Sequence, residues 1–142
     1  MDRVVTLLAH RPIKYAYISA TDLEDLAKDN PEMWRALGHL AAEHIRLAVA
    51  GLDDLMIRSS HRRLSAVLLR LCGARLDVPA GETVSALDVT QQELAQLSNM
   101  SRSMVGRILD DMEQAGQIER RYGQISFVGR DVLKQQLMEE VL

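Results

Sequence analysis

Three polar side chains in the C-terminal half have the types and the spacing to hydrogen-bond to a nucleic acid. Arg102, Ser103 and Arg107 lie opposite the apolar stripe of a helical pattern, formed by Met104, Val105, Ile108, Leu109 and Met112. A guanidinium can donate two parallel hydrogen bonds to the edge of a guanine. Arg102 and Ser103 fall in the first turn, where a helix inserted into a major groove contacts bases. Gly106, on the same side, would let the helix approach a DNA backbone closely.

Two short helices joined by a tight turn must position these side chains. Thr90 and Glu93 form the T-x-x-E capping box of the first helix. The second helix, Ser101–Ala115, begins with a serine N-cap and ends before Gly116. Asn99 tolerates the left-handed conformation that a sharp turn between helices needs. The arrangement predicts a helix-turn-helix, and an ordinary amphipathic helix with a solvated polar face is the alternative for the second helix alone.

A β-hairpin follows, at Gln117–Val128, with its turn at Tyr122 and Gly123. Gly123 supplies a positive φ at little steric cost. Arg120 and Arg121 are predicted at the tip, where a wing beside a DNA-reading helix usually contacts phosphates. The alternative is a hairpin that only closes the core, with solvated arginines.

The run VTQQELAQLSNMSRSMVGRILDDMEQAGQIERRYGQI resembles the DNA-binding domain of CRP/FNR-type bacterial transcription regulators. Its most specific part is S-R-x-x-V-G-R-I-L, Ser101 to Leu109. The resemblance implies that Arg102, Ser103 and Arg107 contact bases. It also implies phosphate-contacting or helix-positioning roles for Thr90, Gln92 and Ser101. The family often has glutamate at the position of Ser103, whose shorter reach prevents transfer of a known half-site sequence.

A long helix is predicted from Pro31 to about Arg58, with Asn30 as its N-cap. Mostly apolar side chains recur along it at intervals of three and four, namely Leu37, Leu40, Ala41, His44, Leu47, Ala48, Leu52 and Leu55. Such a stripe can form a seam between two helices, and in the resembled family this helix is the dimer interface. We therefore expect a homodimer, with burial of the stripe against the chain's own domain as the alternative.

The N-terminal segment is interpreted as a short strand, Ile13–Ile18, and a short helix capped by Thr21 and Glu24 that ends at about Ala27. The resemblance implies that residues 1–18 are only the last strand or two of the family's effector-sensing β-roll. The family's phosphate cassette for cyclic nucleotides has no counterpart here. By the resemblance, Ala48 and Val49 match the long-helix positions that supply hydroxyls to cyclic AMP in the cAMP-responsive member, and neither has a hydroxyl. We therefore predict no cyclic-nucleotide binding. A ligand pocket between the strand and the long helix is a weaker alternative. A fragment, a truncated form and a regulator without a sensor are equally compatible with the sequence.

The segment between the long helix and the helix-turn-helix is basic. Ser59 and Ser60 predict a hinge and N-cap for a helix from His61 to Cys72, which Gly73 ends; a turn at residues 79–81 and a strand at Val84–Val89 follow. From Leu55 to Leu76 there is no acidic residue, while six cationic or titratable side chains occur, which are Arg58, His61, Arg62, Arg63, Arg70 and Arg75. They could contact a DNA backbone or steer DNA at long range. The alternative is that they only solvate a helix or pair with acidic residues elsewhere in the chain.

These elements predict a mainly α fold with small β-hairpins. Residues 60–142 form a winged helix-turn-helix domain, residues 31–59 the dimerisation helix, and residues 1–30 the β-roll remnant and short helix. The 142 residues are 47% hydrophobic but only 4% aromatic, which favours helix packing over a β-sandwich. No apolar run is long enough for a membrane span, and no secretion signal is evident. The single cysteine, Cys72, excludes an intrachain disulfide and favours the cytoplasm.

Enzymatic motifs are missing. His39 and His44 are five positions apart, which separates them by about 140° around a helix, a poor geometry for sharing a metal. We predict no catalytic residue, cofactor or metal. The predicted function is sequence-specific binding of a double-stranded DNA operator by a dimeric transcription regulator, with RNA polymerase as a further candidate partner. A winged-helix protein-interaction or dimerisation module without specific DNA binding is the alternative.

Overall fold

The computed structural model describes Ala9 and residues 12–75, 84–121 and 123–138. Within these residues the fold is mainly helical with one small antiparallel sheet. The elements in chain order are α1 (Ala20–Asp29), α2 (Glu32–Met56), α3 (Ser60–Leu71), β1 (Ala86–Asp88), α4 (Gln91–Ser98), α5 (Arg102–Gln114), β2 (Ile118–Arg121), β3 (Gln124–Phe127) and α6 (Arg130–Met138). The predicted fold class is confirmed. The predicted turn at residues 79–81, His10 and Tyr122 lie outside the described residues.

Two compact units make up the chain, residues 1–43 and residues 44–142. In the first unit, Ser19 caps α1, because its Oγ accepts a hydrogen bond from the backbone N–H of Asp22 at 3.1 Å. The predicted N-cap at Thr21 is therefore wrong, since Thr21 already lies inside the helix. The cause is a serine two positions earlier, which with Asp22 provides the same local capping chemistry.

The predicted strand Ile13–Ile18 is also wrong, because no strand forms at residues 12–19. Ile13 and Tyr15 expose 63% and 83% of their surface. Alternating apolar residues make a strand only when another strand accepts their backbone hydrogen bonds, and none does so in the described part of the chain. The ligand pocket predicted between this strand and the long helix would therefore lack the strand that was expected to form one of its walls.

The second unit contains one hydrophobic core under the helix-turn-helix. Helices α3, α4, α5 and α6 and all three strands contribute to it, through buried side chains that include Leu64, Leu68, Leu94, Leu109, Met112, Ile118 and Leu133. The strand order is β1-β3-β2, and all pairs are antiparallel. Leu87 faces Ile125, and Ile118 faces Phe127. The predicted hairpin is thus part of a three-stranded wing that packs against the helices.

Helix α6 follows the wing and has no counterpart among the predicted elements. Its Leu133 is fully buried in the core. The Nη2 group of Arg62 donates a hydrogen bond of 2.7 Å to the backbone carbonyl oxygen of Leu137. This contact links α3 to α6 and satisfies a carbonyl near the helix C-terminus, which has no partner within the helix itself.

Helix α2 has 25 residues, close to the predicted span. Within the described chain, most of the side chains predicted at a dimer interface are exposed. Leu40 exposes 51% and Leu52 63% of their surface, and Leu47 and Leu55 are also exposed. Ala50 and Asp54 are buried instead. No described helix is long and apolar enough to cross a membrane.

Candidate nucleic-acid interface

Three local features that the sequence predicts define the helix-turn-helix, namely two side-chain caps and one residue in the left-handed conformation. The backbone N–H of Thr90 donates to Oε2 of Glu93 at 2.7 Å, and the N–H of Glu93 donates to Oγ1 of Thr90 at 3.2 Å. Asn99 has the left-handed conformation, with φ of 51°. The Oγ of Ser101 accepts from the N–H of Met104 at 3.2 Å, which starts α5. The capping box, turn and second N-cap are confirmed.

Helix α5 presents three predicted base-contacting side chains on its exposed face. Arg102, Ser103 and Arg107 are exposed, whereas the opposite face is buried through Val105, Ile108, Leu109 and Met112. The side chain of Arg102 makes no hydrogen bond or ion pair with any other described residue. The Oγ of Ser103 lies 3.1 Å from that of Ser101. Arg107 has only a weak contact, with Nη2 3.6 Å from the sulfur of Met104. Their polar groups can therefore form new hydrogen bonds at little cost.

A groove of about 600 Å³ lies between the start of α4, helix α5 and the wing. It brings Thr90, Gln92, Arg102 and Arg121 into one concave surface, although they come from three elements and a cap. Ser101 lines a neighbouring groove together with Gln92 and Arg102. The predicted DNA-binding residues therefore line these two neighbouring grooves, except Ser103 and Arg107, which are exposed on α5 but line neither groove.

Gly106 has space around it. A Cβ atom built there would lie 3.6 Å from Oε1 of Gln91, which is an ordinary van der Waals distance. Packing within the chain does not require glycine at this position. Because glycine weakens a helix interior relative to alanine, its presence is consistent with an approach from outside.

The two arginines of the wing have different environments. The Nε group of Arg120 donates to Oε2 of Glu113 at 2.9 Å, and its Nη2 group donates to Oδ1 of Asp110 at 2.6 Å. The hydrogen bond from the Arg120 side chain lowers the pKa of Glu113, and the same bond raises the pKa of Arg120. The expectation that Arg120 is presented at the wing tip is wrong, because α5 holds its guanidinium. The side chain of Arg121 is 80% exposed. Its Nη2 group lies 3.3 Å from Oε2 of Glu119, whose side chain is also exposed.

The comparisons with known proteins agree with this geometry. The family described as the Crp-like helix-turn-helix domain matches residues 62–136, more than half of the chain. The chain belongs to the CRP/FNR family of transcription regulators. It is 28% identical over 115 residues to the cAMP-activated global transcriptional regulator Vfr of Pseudomonas aeruginosa. That match covers 81% of this chain and 53% of Vfr, so the chain spans about half the length of this relative.

Solved structures of other proteins share the fold. FixK2 of Bradyrhizobium japonicum has a TM-score of 0.67 at 19% identity, with 83% of this chain and 58% of FixK2 covered. A CRP/FNR-family regulator of Thermus thermophilus has a TM-score of 0.60 at 23% identity, with 76% of this chain and 55% of the regulator covered. At these identities the similarity shows the fold alone.

The basic segment of this CRP/FNR chain is largely used inside the protein. Arg70 and Arg75 both pair with Asp54, and Arg63 donates to the carbonyl oxygen of Ile57. Pairing with an acidic residue therefore applies to Arg70 and Arg75, whereas Arg63 binds a backbone carbonyl instead. The sequence gives one indication of a partner for these arginines, the Asp53-Asp54 pair near the end of α2. No spacing rule connects that pair to Arg70 and Arg75, which lie far along the chain.

Proposed function

We propose that the chain binds double-stranded DNA in a sequence-specific manner, with α5 in the major groove. The observation that carries this proposal is the exposed face of α5, where Arg102, Ser103 and Arg107 stand opposite a buried face. Arg102 and Arg107 would each contact a base edge, with Ser103 assisting. Arg121 on the wing, with Thr90 and Gln92 at the start of α4, would contact phosphates, which position the helix without specifying sequence.

The DNA-binding form would be a homodimer. Helix α2 exposes leucines at helical spacing, as a helix seam requires. A two-fold symmetric dimer would place two copies of α5 in successive major grooves, about 34 Å apart, on a pseudo-palindromic operator. The resemblance to the family also makes RNA polymerase a candidate partner of the bound dimer.

Selection from a randomised duplex pool at moderate salt tests the proposal directly. Recovery of a sequence with two symmetric half-sites is expected, and it would identify the operator. Retention of DNA without any consensus, or no retention at all, would contradict sequence-specific binding and would favour a winged helix that serves a protein partner.

Single substitutions then test the assigned roles. Arg102→Ala should weaken binding to the selected site by about 1–3 kcal/mol and relax the preference at one base pair. Arg121→Ala should weaken binding to all duplexes alike and reduce the salt dependence by about one phosphate contact. Arg35→Ala is the matched control, because it removes the same charge from an exposed ion pair in the other unit. Equal losses on selected and random DNA for both test variants would refute the roles.

A further inference from the structure

The last turn of α2 is attached to α3 and to the segment after it by an ion cluster of Asp54, Arg70 and Arg75, the Asp54 cluster, in which Asp54 is buried and both arginines are partly buried. The Asp54 side chain has no exposed surface. Arg70 Nε donates to its Oδ2 atom at 2.9 Å, and Arg75 Nε donates to its Oδ1 atom at 2.9 Å. The three residues belong to the same compact unit, residues 44–142. Both carboxylate oxygens are therefore occupied, each by a different guanidinium.

Arginine side chains also contact the backbone in the last turns of α2 and just after its end. Gly51 lies one turn before Asp54, and a Cβ atom there would be 3.6 Å from Cζ of Arg70. The guanidinium thus lies directly against the helix. Arg63 Nη1 donates to the carbonyl oxygen of Ile57 at 3.2 Å, just after α2 ends. Cationic groups at this end also complement the negative end of the helix dipole, since the last turn of α2 has no basic residue of its own.

A buried ion pair is weak evidence for stability, because apolar replacements of similar volume often stabilise a protein as well. Its geometry is more restrictive than that of an apolar contact. Two guanidinium groups on two separate oxygens constrain both the rotation of α2 about its axis and its position along that axis. An apolar contact would allow some sliding and rotation. The Asp54 cluster therefore specifies one attachment of α2 to α3.

We propose that Asp54 is a positioning residue that sets the half-site spacing accepted by the DNA-bound dimer. The inference rests on the proposed homodimer, in which α2 joins the two subunits and α3 begins the DNA-binding part of each. One added base pair moves two half-sites apart by about 3.4 Å and rotates them by about 34–36°. A rigid attachment between α2 and α3 rejects such a change, whereas a loose attachment tolerates it.

Spacing preference is the property to measure. The full chain is titrated with the selected palindrome, with versions whose central spacer is one or two base pairs longer or shorter, and with a duplex that carries one half-site. For Asp54→Asn, the affinity ratio between the best and the altered spacers should fall by about fivefold or more, a usual size for coupling between distant sites. Affinity for the single half-site should not change. Asp53→Asn is the matched control, a neighbouring exposed aspartate on the same helix.

A second variant guards against loss of folding, because Asp54→Asn leaves two arginines without their carboxylate. Arg75→Ala removes one guanidinium and keeps the Asp54–Arg70 pair, so it should give a smaller fall in the same ratio. Thermal unfolding and sedimentation of each variant report folding and dimerisation. An unchanged spacing ratio in a folded, dimeric variant, or loss of folding in both variants, would overturn the positioning role. Failure of the wild-type chain to bind the palindrome and the half-site would instead refute the proposed function.

Discussion

Gly106→Ala should change stability and DNA binding in opposite directions. The position lies inside α5, and the nearest atom to an added Cβ is Oε1 of Gln91 at 3.6 Å, so no clash opposes the substitution. Alanine in a helix interior is more stable than glycine by about 0.5–1 kcal/mol. For a unit of this size, that gain corresponds to an increase in Tm of about 2–8 °C.

DNA affinity should fall in the same variant. The added methyl group lies on the side of α5 that carries Arg102 and Arg107, so it would hold the helix away from the DNA backbone. Loss of one well-aligned base contact costs about 1–3 kcal/mol, so we expect a rise in Kd of about 5- to 150-fold for the selected operator. Because the variant is more stable than the wild-type protein, partial unfolding cannot account for weaker binding.

Thermal unfolding and fluorescence anisotropy titrations at one fixed salt concentration measure the two effects. Gly38→Ala is a suitable control, because Gly38 is a helical glycine of α2 with no heavy atom within 4 Å of its Cβ position. It should raise Tm without changing Kd. Unchanged or tighter DNA binding by Gly106→Ala would show that this face of α5 does not approach DNA.

The wing and the buried thiol lead to three more expectations. Arg120→Ala should weaken binding to every duplex, because it leaves the Asp110 and Glu113 carboxylates without a cation. Adding Asp110→Ala to this variant should restore part of the DNA affinity. If the double variant instead shows the sum of the two single effects on DNA affinity, Arg120 itself contacts phosphate. The lowered pKa of Glu113 means that its pairing stabilises the fold fully above the ordinary value of 4.5 and loses this effect as pH falls through the lowered pKa. The stability difference between the wild-type protein and Glu113→Gln should therefore vanish in acid, and a difference that persists there would contradict the pairing. Burial raises the pKa of the Cys72 thiol, so a thiol reagent should react only as fast as the protein unfolds, and rapid labelling of the native protein would argue against this burial.

The sequence predicts this fold best where the decisive hydrogen bonds are local. Thr90 and Ser101 each bond to a backbone N–H three residues ahead, so residue type and spacing contain the whole interaction. The positive φ of Asn99 likewise follows from one residue and its place between two helices. The apolar stripe of α5 also predicts which face of the helix is exposed, because helical periodicity fixes which side is buried.

Interactions between distant residues could not be predicted in the same way. Asp54 pairs with arginines 16 and 21 positions away, and no periodicity connects them. The pairing of β1 with β3 and the docking of α6 through Leu133 also depend on the assembled core. The strand predicted at Ile13–Ile18 failed for the same reason. Its alternating pattern is local, but a strand forms only with a partner strand, which can lie anywhere in the sequence.

The arginines show why charge counts alone are a poor guide to the interface. A basic segment without acidic residues suggests an electrostatic surface, yet four of its arginines, Arg62, Arg63, Arg70 and Arg75, donate to groups of the chain itself. On the second unit, the cations that we propose contact DNA are instead Arg102 and Arg107 on α5 and Arg121 on the wing, whose ion pair with Glu119 is exposed. A net charge of −3 is therefore compatible with DNA binding, because affinity depends on which guanidinium groups face the groove and which are committed to carboxylates and carbonyls. The same distinction separates Arg120, which stabilises the contact between α5 and the wing, from Arg121, its neighbour in sequence.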